Sequence, residues 1–131
     1  MDSSVWIEFL RATRSSHQAH LAELIRWFPE RIQVPGPTIQ EVLQGVRDEA
    51  LFRLVHARLL TFTILLPDPA TYVVAAELYQ RLLRHGKTIP PGDATIAALA
   101  IQHRAELYTL DRKHFEPLSQ QSPLRLYRLP T

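Results

Sequence analysis

The sequence predicts an α/β fold in which a mostly parallel central sheet is flanked by helices. Short β-branched and aromatic runs alternate along the chain with helical patterns of about ten to twenty residues, which is typical of strands joined by helical crossovers. The proline-rich segments "VPGPT", "LLPDP" and "TIPPGD" each precede a predicted helix and punctuate this alternation. The length of 131 residues suits one core, so we expect a single domain over residues 1–131.

The first elements follow from caps and apolar spacing. A helix is predicted after the cap candidates Ser3 and Ser4, and a second runs from about Ser16 until Pro29 stops it. The segment "RIQVPG" alternates apolar and polar residues before its proline, which predicts a short strand.

The later elements repeat this order. From Thr38 onward, apolar residues at helical spacing predict one long amphipathic helix that continues past Val55, and "LTFTILL" predicts the next strand. A helix from Pro69 to His85 is expected to end at Gly86. The Ala-rich "DATIAALAIQHR" predicts another helix, while "LYTL" and "LRLYRL" predict the last two strands.

Composition narrows the class of protein. Without cysteine, the chain has neither disulfides nor thiolate metal sites, and its apolar runs are much shorter than the roughly 20 residues that cross a bilayer. Nothing resembles a signal peptide, so we expect a cytoplasmic protein without a membrane partner. Arginine supplies 13 of the 15 cations, which suits phosphate binding, although arginine side chains on solvated helix faces are the simpler explanation.

Four carboxylates stand where a predicted strand ends or a predicted helix begins: Asp2, Glu41, Asp93 and Asp111. Because loops at the carboxyl ends of parallel strands share one edge of a sheet, we expect these four to meet there. Such a cluster needs a divalent cation to offset its repulsion, and carboxylate oxygens are the ligands that Mg²⁺ prefers.

Each carboxylate also has a structural interpretation. Asp93 is a candidate helix N-cap, and Glu41 completes a capping-box pattern with Thr38. Asp111 is a candidate for the first residue of a turn in "DRKHF", and Asp2 for a frayed terminus. Taken singly, each carboxylate is explained by its structural interpretation. The prediction of a metal site therefore rests on considering the four residues together.

The segments "DSSVWIEFL", "PTIQEVLQGV" and "PPGDATIAALAIQHRAELYTLDRKHF" resemble the PIN-domain ribonucleases, in particular the VapC-like toxins of toxin–antitoxin pairs. The resemblance implies a PIN-like three-layer fold. It also implies that Asp2, Glu41, Asp93 and Asp111 bind Mg²⁺ or Mn²⁺ and are catalytic. In this family an apolar strand precedes the first Asp; here it is absent or truncated before Asp2, and we expect the natural start to lie upstream.

Side chains close to the four carboxylates are candidates for further roles. Ser4 and Thr109 are similar to hydroxyls that flank the first and last Asp and orient them. Three cations close to the acidic positions are candidates for holding substrate phosphates, or are simply surface charges: Arg11, Arg112 and Lys113. His114 resembles a general base, but a histidine beside Phe115 is more often a turn or packing residue.

The implied function is that of a metal-dependent endoribonuclease, a hydrolase of RNA phosphodiester bonds, acting as a toxin. The implied partners are RNA, a cognate antitoxin and a second copy of the chain, with Trp6, Trp27 and Phe28 as candidates for the antitoxin groove, although Trp6 also suits the core. The alternative is a catalytically impaired PIN domain that binds RNA or antitoxin. A receiver-like phosphoacceptor domain is a more distant rival.

Overall fold

The computed structural model describes residues 1–10 and 15–130 of the chain. These residues form two compact units. The N-terminal unit comprises Met1–Leu65 with Leu129 and Pro130, and the C-terminal unit comprises Leu66–Arg128. Within the described ranges, none of the helices combines the length and apolar character needed to cross a membrane.

The N-terminal unit contains four helices and one pair of parallel strands in its described part. The chain order is α1 (Ser3–Leu10), α2 (Ser16–Trp27), a 3₁₀ turn (Pro29–Arg31), β1 (Gln33–Pro35), α3 (Gly36–Gln44), α4 (Glu49–Leu59) and β2 (Thr63–Leu65). β1 pairs in parallel with β2, with Val34 opposite Ile64. The side chains of Val5, Leu21 and Val34 are among those fully buried, so each of the first two helices and β1 contributes to the core.

The expectation of one long helix from Thr38 past Val55 is wrong. α3 ends at Gln44, where the N–H of Gly45 donates to the carbonyls of Leu43 and Val42. α4 then begins after Asp48, whose carboxylate accepts the N–H of Leu51 at 2.7 Å. The apolar spacing runs through both helices because each has a buried face, whereas Gly45 and Asp48 supply the stop and the new start.

Met1 lies beside β1. The α-amine of Met1 donates to the carbonyl of Gln33 at 2.8 Å. Burial lowers the pKa of this amine from 8.0 to about 5, with the negative charge of Asp2 acting in the opposite direction. The backbone just before Asp2 is therefore held against the sheet.

The C-terminal unit has the order α5 (Pro69–Arg84), α6 (Pro91–Gln102), β3 (Glu106–Leu107), α7 (Arg112–Gln120) and β4 (Arg125–Leu126). β3 and β4 pair in parallel. α6 packs against α5 and α7, and its Ile96, Ala97 and Ala98 are completely buried together with Phe115 of α7. The small Ala side chains allow this close approach of three helices.

In the C-terminal unit, the first helices agree with the sequence-based prediction, whereas the elements that follow them differ from it. α5 ends as expected, with Gly86 at a φ of 73° that favours glycine. Of the strand predicted in "LYTL", only Leu107 lies in β3, which also takes in Glu106, and α7 replaces the turn that "DRKHF" suggested. The predicted α/β class with parallel strands is nevertheless confirmed, since both described strand pairs are parallel.

Candidate metal centre

Asp2 is buried at the start of α1, with 3% of its surface exposed. Its backbone carbonyl accepts the N–H of Val5 at 3.3 Å, in the first turn of the helix. Ser4 Oγ donates to Asp2 Oδ2 at 2.8 Å. The carboxylate is thus held by the helix that follows it, and it does not fray into solvent.

Glu41 lies on α3 and accepts a hydrogen bond from Ser3 Oγ to Oε2 at 2.6 Å. The capping-box interpretation of Glu41 is wrong, because α3 begins at Gly36, two residues before Thr38. Proline is favoured in the first turn of a helix, and Pro37 starts α3 early. Thr38 Oγ1 donates to the carbonyl of Met1 at 3.4 Å instead.

Two adjacent serines therefore hold the two candidate metal-binding carboxylates of the N-terminal unit. Ser3 donates to Glu41 and Ser4 donates to Asp2. The contact made by Ser3 joins residues that are 38 positions apart, so neither spacing nor capping patterns reveal it. Sequence reasoning selected Ser4 and missed Ser3, although the two stand side by side after Asp2.

Asp93 and Asp111 meet at His114 in the C-terminal unit. The Nδ1 atom of His114 lies 2.8 Å from Asp93 Oδ2 and 2.8 Å from Asp111 Oδ2. The side chain of Asp93 is 14% exposed and that of His114 is 32% exposed. The two carboxylates whose sequence positions suggested a shared site therefore share one imidazole nitrogen.

The helices α6 and α7 position this pair. Asp93 lies in the first turn of α6, whereas Pro90 occupies the N-cap, so the N-cap interpretation of Asp93 is wrong. Asp111 is the N-cap of α7, and its Oδ1 accepts the N–H of His114 at 3.4 Å. Its other oxygen remains available to the imidazole ring, so capping and the contact with His114 coexist in one carboxylate.

Thr109 lies just before Asp111 and is buried, with 3% of its surface exposed. Its Oγ1 accepts the backbone N–H of Asp111 at 2.9 Å. This bond fixes the backbone from which the Asp111 side chain projects, in contrast to Ser4, which bonds a carboxylate directly.

The candidate phosphate-binding cations lie on the surface of α7 or outside the described residues. Arg11 lies outside the described residues. Arg112 pairs with Glu116 at 3.3 Å on the surface of α7, and Lys113 is exposed beside it. Their contact with a substrate phosphate stays a prediction.

The candidate groove residues differ sharply in environment. Trp6 is 4% exposed, whereas Trp27 is 63% exposed. The Arg26 guanidinium lies 4.8 Å from the centre of the Trp27 ring, and that of Arg31 lies 5.5 Å from Phe28. The core interpretation of Trp6 is therefore correct, and only Trp27 and Phe28 present open surface.

The donor set in the C-terminal unit fits a divalent cation. One ligand atom from each of Asp93, Asp111 and His114 lies within 4.8 Å of the others. Carboxylate oxygens bind Mg²⁺ and Mn²⁺, and an imidazole nitrogen binds transition metals. His114 was weighed from the sequence only as a general base; its place three residues after Asp111, at helical spacing, is the signal that links the two.

Known proteins resemble the chain throughout its length. The family model described as "PIN domain" matches residues 1–118. The chain is 32% identical over 116 residues to VapC ribonuclease Mb1587 of Mycobacterium bovis and to Ribonuclease VapC11 of Mycobacterium tuberculosis, covering 85% of this chain and 84% of each relative.

Solved structures share the fold. FitAB bound to the IR36 DNA fragment aligns with a TM-score of 0.77 at 22% identity, covering 99% of this chain and 96% of that one. A toxin–antitoxin complex from Klebsiella pneumoniae aligns with a TM-score of 0.70 at 25% identity, covering 87% of each chain. The family match over residues 1–118 and the 32% identity to the mycobacterial VapC ribonucleases show that the chain belongs to the PIN-domain family.

Proposed function

We propose that the chain is a metal-dependent endoribonuclease that acts as the toxin of a toxin–antitoxin pair. The meeting of Asp93 and Asp111 at one imidazole carries the proposal, in a chain that belongs to the PIN-domain family. The mycobacterial relatives are named ribonucleases, and one structural neighbour is a toxin–antitoxin complex. We also propose that residues 1–131 form a single domain, as the family match across both units supports.

The proposed ligands and catalytic residues are Asp2, Glu41, Asp93 and Asp111, with Mg²⁺ or Mn²⁺ as the cofactor. Their oxygen donors suit these ions. Ser4 keeps the Asp2 carboxylate in one orientation, and Thr109 holds the backbone of Asp111. Ligands fixed in this way lose little conformational freedom when a cation binds, which favours affinity.

The proposed reaction is hydrolysis of an RNA phosphodiester. The oxygen of water bonds to phosphorus, the P–O ester bond breaks, and the leaving oxygen takes up a proton. A bound divalent cation supplies positive charge that favours deprotonation of the water and stabilises the charge developing on the phosphate. The carboxylates hold the cation in place, while Arg11, Arg112 and Lys113 are proposed to bind phosphates along the RNA. The cytoplasm, where RNA is available, is the proposed location.

The proposed partners are RNA, an antitoxin protein and a second copy of the chain. For the antitoxin, the exposed rings of Trp27 and Phe28 offer a surface of the kind that is enriched at protein interfaces.

For the second copy, α5 offers Tyr72 and Val73, both more than half exposed. We expect Tyr72→Glu to convert a dimer into a monomer in light scattering, whereas Leu54→Glu, at an exposed leucine of α4, leaves the mass unchanged; a monomer in the parent chain would contradict the dimer.

The ribonuclease activity is tested with purified chain, free of antitoxin, and labelled total RNA in Mg²⁺ or Mn²⁺. We expect cleavage that EDTA and Asp93→Asn both abolish. Asp68→Asn is the matched control, because Asp68 caps α5 and Asn caps helices equally well. RNA binding without cleavage by the folded chain would favour the binding module instead.

The toxin role needs a separate experiment in cells. Induced expression of the parent chain in a bacterial host is expected to arrest growth, whereas expression of Asp93→Asn at the same level is not. Continued growth with the parent chain, at a level that cleaves RNA in extracts, would separate the nuclease activity from the toxin role.

A further inference from the structure

The contact between His114 and two carboxylates is unusual in its use of one atom. Nδ1 lies 2.8 Å from an oxygen of Asp93 and 2.8 Å from an oxygen of Asp111. A ring nitrogen carries at most one hydrogen, so it cannot make two full hydrogen bonds. Without a hydrogen, its lone pair faces two negatively charged oxygens. Positive charge resolves the conflict in one of two ways: a protonated ring donates its Nδ1–H towards the carboxylate oxygens, or a cation binds among the three atoms.

We propose that His114 is a direct ligand of the bound cation, together with Asp93 and Asp111, and that it makes this centre prefer transition-metal ions such as Mn²⁺ over Mg²⁺. The proposal rests on the proposed metal-binding role of the two carboxylates. Magnesium favours oxygen ligands, whereas an imidazole nitrogen increases the affinity for transition metals. His114 therefore determines metal specificity in this centre.

The spacing of the atoms supports ligation. Ligands on adjacent vertices of a coordination sphere, at about 2.1 Å from the metal, lie about 3 Å from each other. The distances from Nδ1 to the two oxygens are close to this spacing. All three ligand atoms lie within 4.8 Å of one another, so the three side chains are close enough to share one cation.

The surrounding structure holds the ring in place. His114 lies in the first turn of α7, and its backbone N–H donates to Asp111 Oδ1 at 3.4 Å. The next residue, Phe115, is completely buried and anchors the helix to the core. Because the backbone bond is independent of the side chain, His114→Asn is expected to fold with α7 intact.

A competing role for His114 is to hold the two carboxylates without touching the cation. His114→Asn separates the two roles, since an asparagine amide donates hydrogen bonds to carboxylates but offers no imidazole nitrogen. His103→Asn, at the exposed histidine that ends α6, is the matched control. All variants are made in the full chain without a histidine tag.

Calorimetric titration with Mn²⁺ and Mg²⁺ gives the first result. We expect the parent chain and His103→Asn to bind Mn²⁺ on the order of tenfold more tightly than Mg²⁺, and His114→Asn to lose most of that preference. Equal loss of affinity for both ions, an unchanged preference, or no binding of Mn²⁺ by the parent chain would overturn the proposal.

The second test is pulsed electron paramagnetic resonance of the chain with Mn²⁺ bound. A nitrogen coupling is expected in the parent chain and in His103→Asn, and it disappears in His114→Asn. Persistence of the coupling in His114→Asn contradicts ligation. The ribonuclease proposal can fail on its own. If the chain shows this His114-dependent metal preference and nitrogen coupling but cleaves no RNA, metal ligation by His114 stands and the ribonuclease proposal is wrong.

Discussion

The carboxylates of the two units are held by different chemistry. In the N-terminal unit, Asp2 and Glu41 each accept a hydrogen bond from a neutral serine hydroxyl. In the C-terminal unit, Asp93 and Asp111 share the Nδ1 atom of His114. The first pair offers only oxygen atoms to a cation, and the second offers oxygen atoms beside a nitrogen.

The two pairs differ in whether a substitution at one supporting side chain affects one carboxylate or both. A serine hydroxyl orients one carboxylate and leaves its charge in place, so Asp2 and Glu41 are each positioned by a separate donor. The acids in the C-terminal unit depend on one common side chain, and a change at that side chain alters both. We therefore expect variants in the two units to differ in their effects, except where the carboxylates act together.

The largest expected effect is on cleavage. Asp2→Asn and Asp93→Asn are each expected to reduce the cleavage rate by on the order of 10²-fold to 10³-fold, because each removes a carboxylate that holds the cation, whose charge stabilises the transition state. Residues that act as a unit are strongly non-additive, so the double variant is expected to lose little more than either single variant. Single-turnover kinetics measures this; multiplied losses would show that the two carboxylates act independently.

The next effect is confined to the N-terminal unit and concerns stability. The Met1 amine has a pKa of about 5 in the folded chain and 8.0 as its ordinary value. Between these values the unfolded chain binds more protons, so stability rises with pH; the penalty is complete below pH 5, absent above pH 8, and at most about 4 kcal/mol. Urea unfolding of the chain with a free amine measures this rise.

Acetylation of Met1 is the control for that measurement. The acetylated nitrogen keeps an N–H for the carbonyl of Gln33 but no longer titrates. All other titratable groups are common to both forms, so the difference between the two forms isolates the amine. Equal pH profiles for the two forms would rule out the buried amine as a source of pH dependence.

A smaller effect is expected from the serine hydroxyls. Ser3→Ala and Ser4→Ala each remove one donor from a carboxylate, and we expect losses on the order of tenfold in metal affinity or cleavage. Ser119→Ala is the control, because Ser119 Oγ donates only to the backbone carbonyl of Glu116 among the bonds seen here. Parent-like behaviour of both variants would mean that the hydroxyls do not orient the ligands.

The smallest effect separates the two roles of Asp111. Asp111→Ala removes the N-cap of α7 and is expected to cost about 1 kcal/mol of unfolding free energy, whereas Asp111→Asn keeps a good cap and costs a few tenths. Both variants are expected to lose cleavage. Urea unfolding beside the cleavage assay tests this; retained cleavage in Asp111→Asn would leave Asp111 with a capping role only.

Local signals predicted most helices, because caps and glycines act over a few residues. The start of α2 at Ser16 and the end of α5 before Gly86 agree with the structure. The break at Gly45 was hidden by apolar spacing that continues into α4. α7 was missed because its first turn, which begins at Arg112, is polar and resembles a loop.

The site was predictable only in part, for a different reason. The positions of Asp93 near a helix start and of Asp111 after a predicted strand are local, and the sequence shows them. The contact of His114 with Asp93 joins residues 21 positions apart, and that of Ser3 with Glu41 joins residues 38 apart. Both contacts depend on how helices pack, which side-chain volume and burial determine across the whole unit.

The unequal surroundings of the two tryptophans also have a spectroscopic consequence. Trp6 lies in the core with its ring 5.5 Å from that of Phe62, while Trp27 is open to solvent beside Arg26. Both belong to the N-terminal unit, and the four tyrosines belong to the C-terminal unit. Tryptophan emission therefore follows unfolding around Trp6 with a blue-shifted signal, whereas an iodide quencher reaches Trp27 first. Structural changes confined to α6 and α7 are followed by tyrosine absorbance instead.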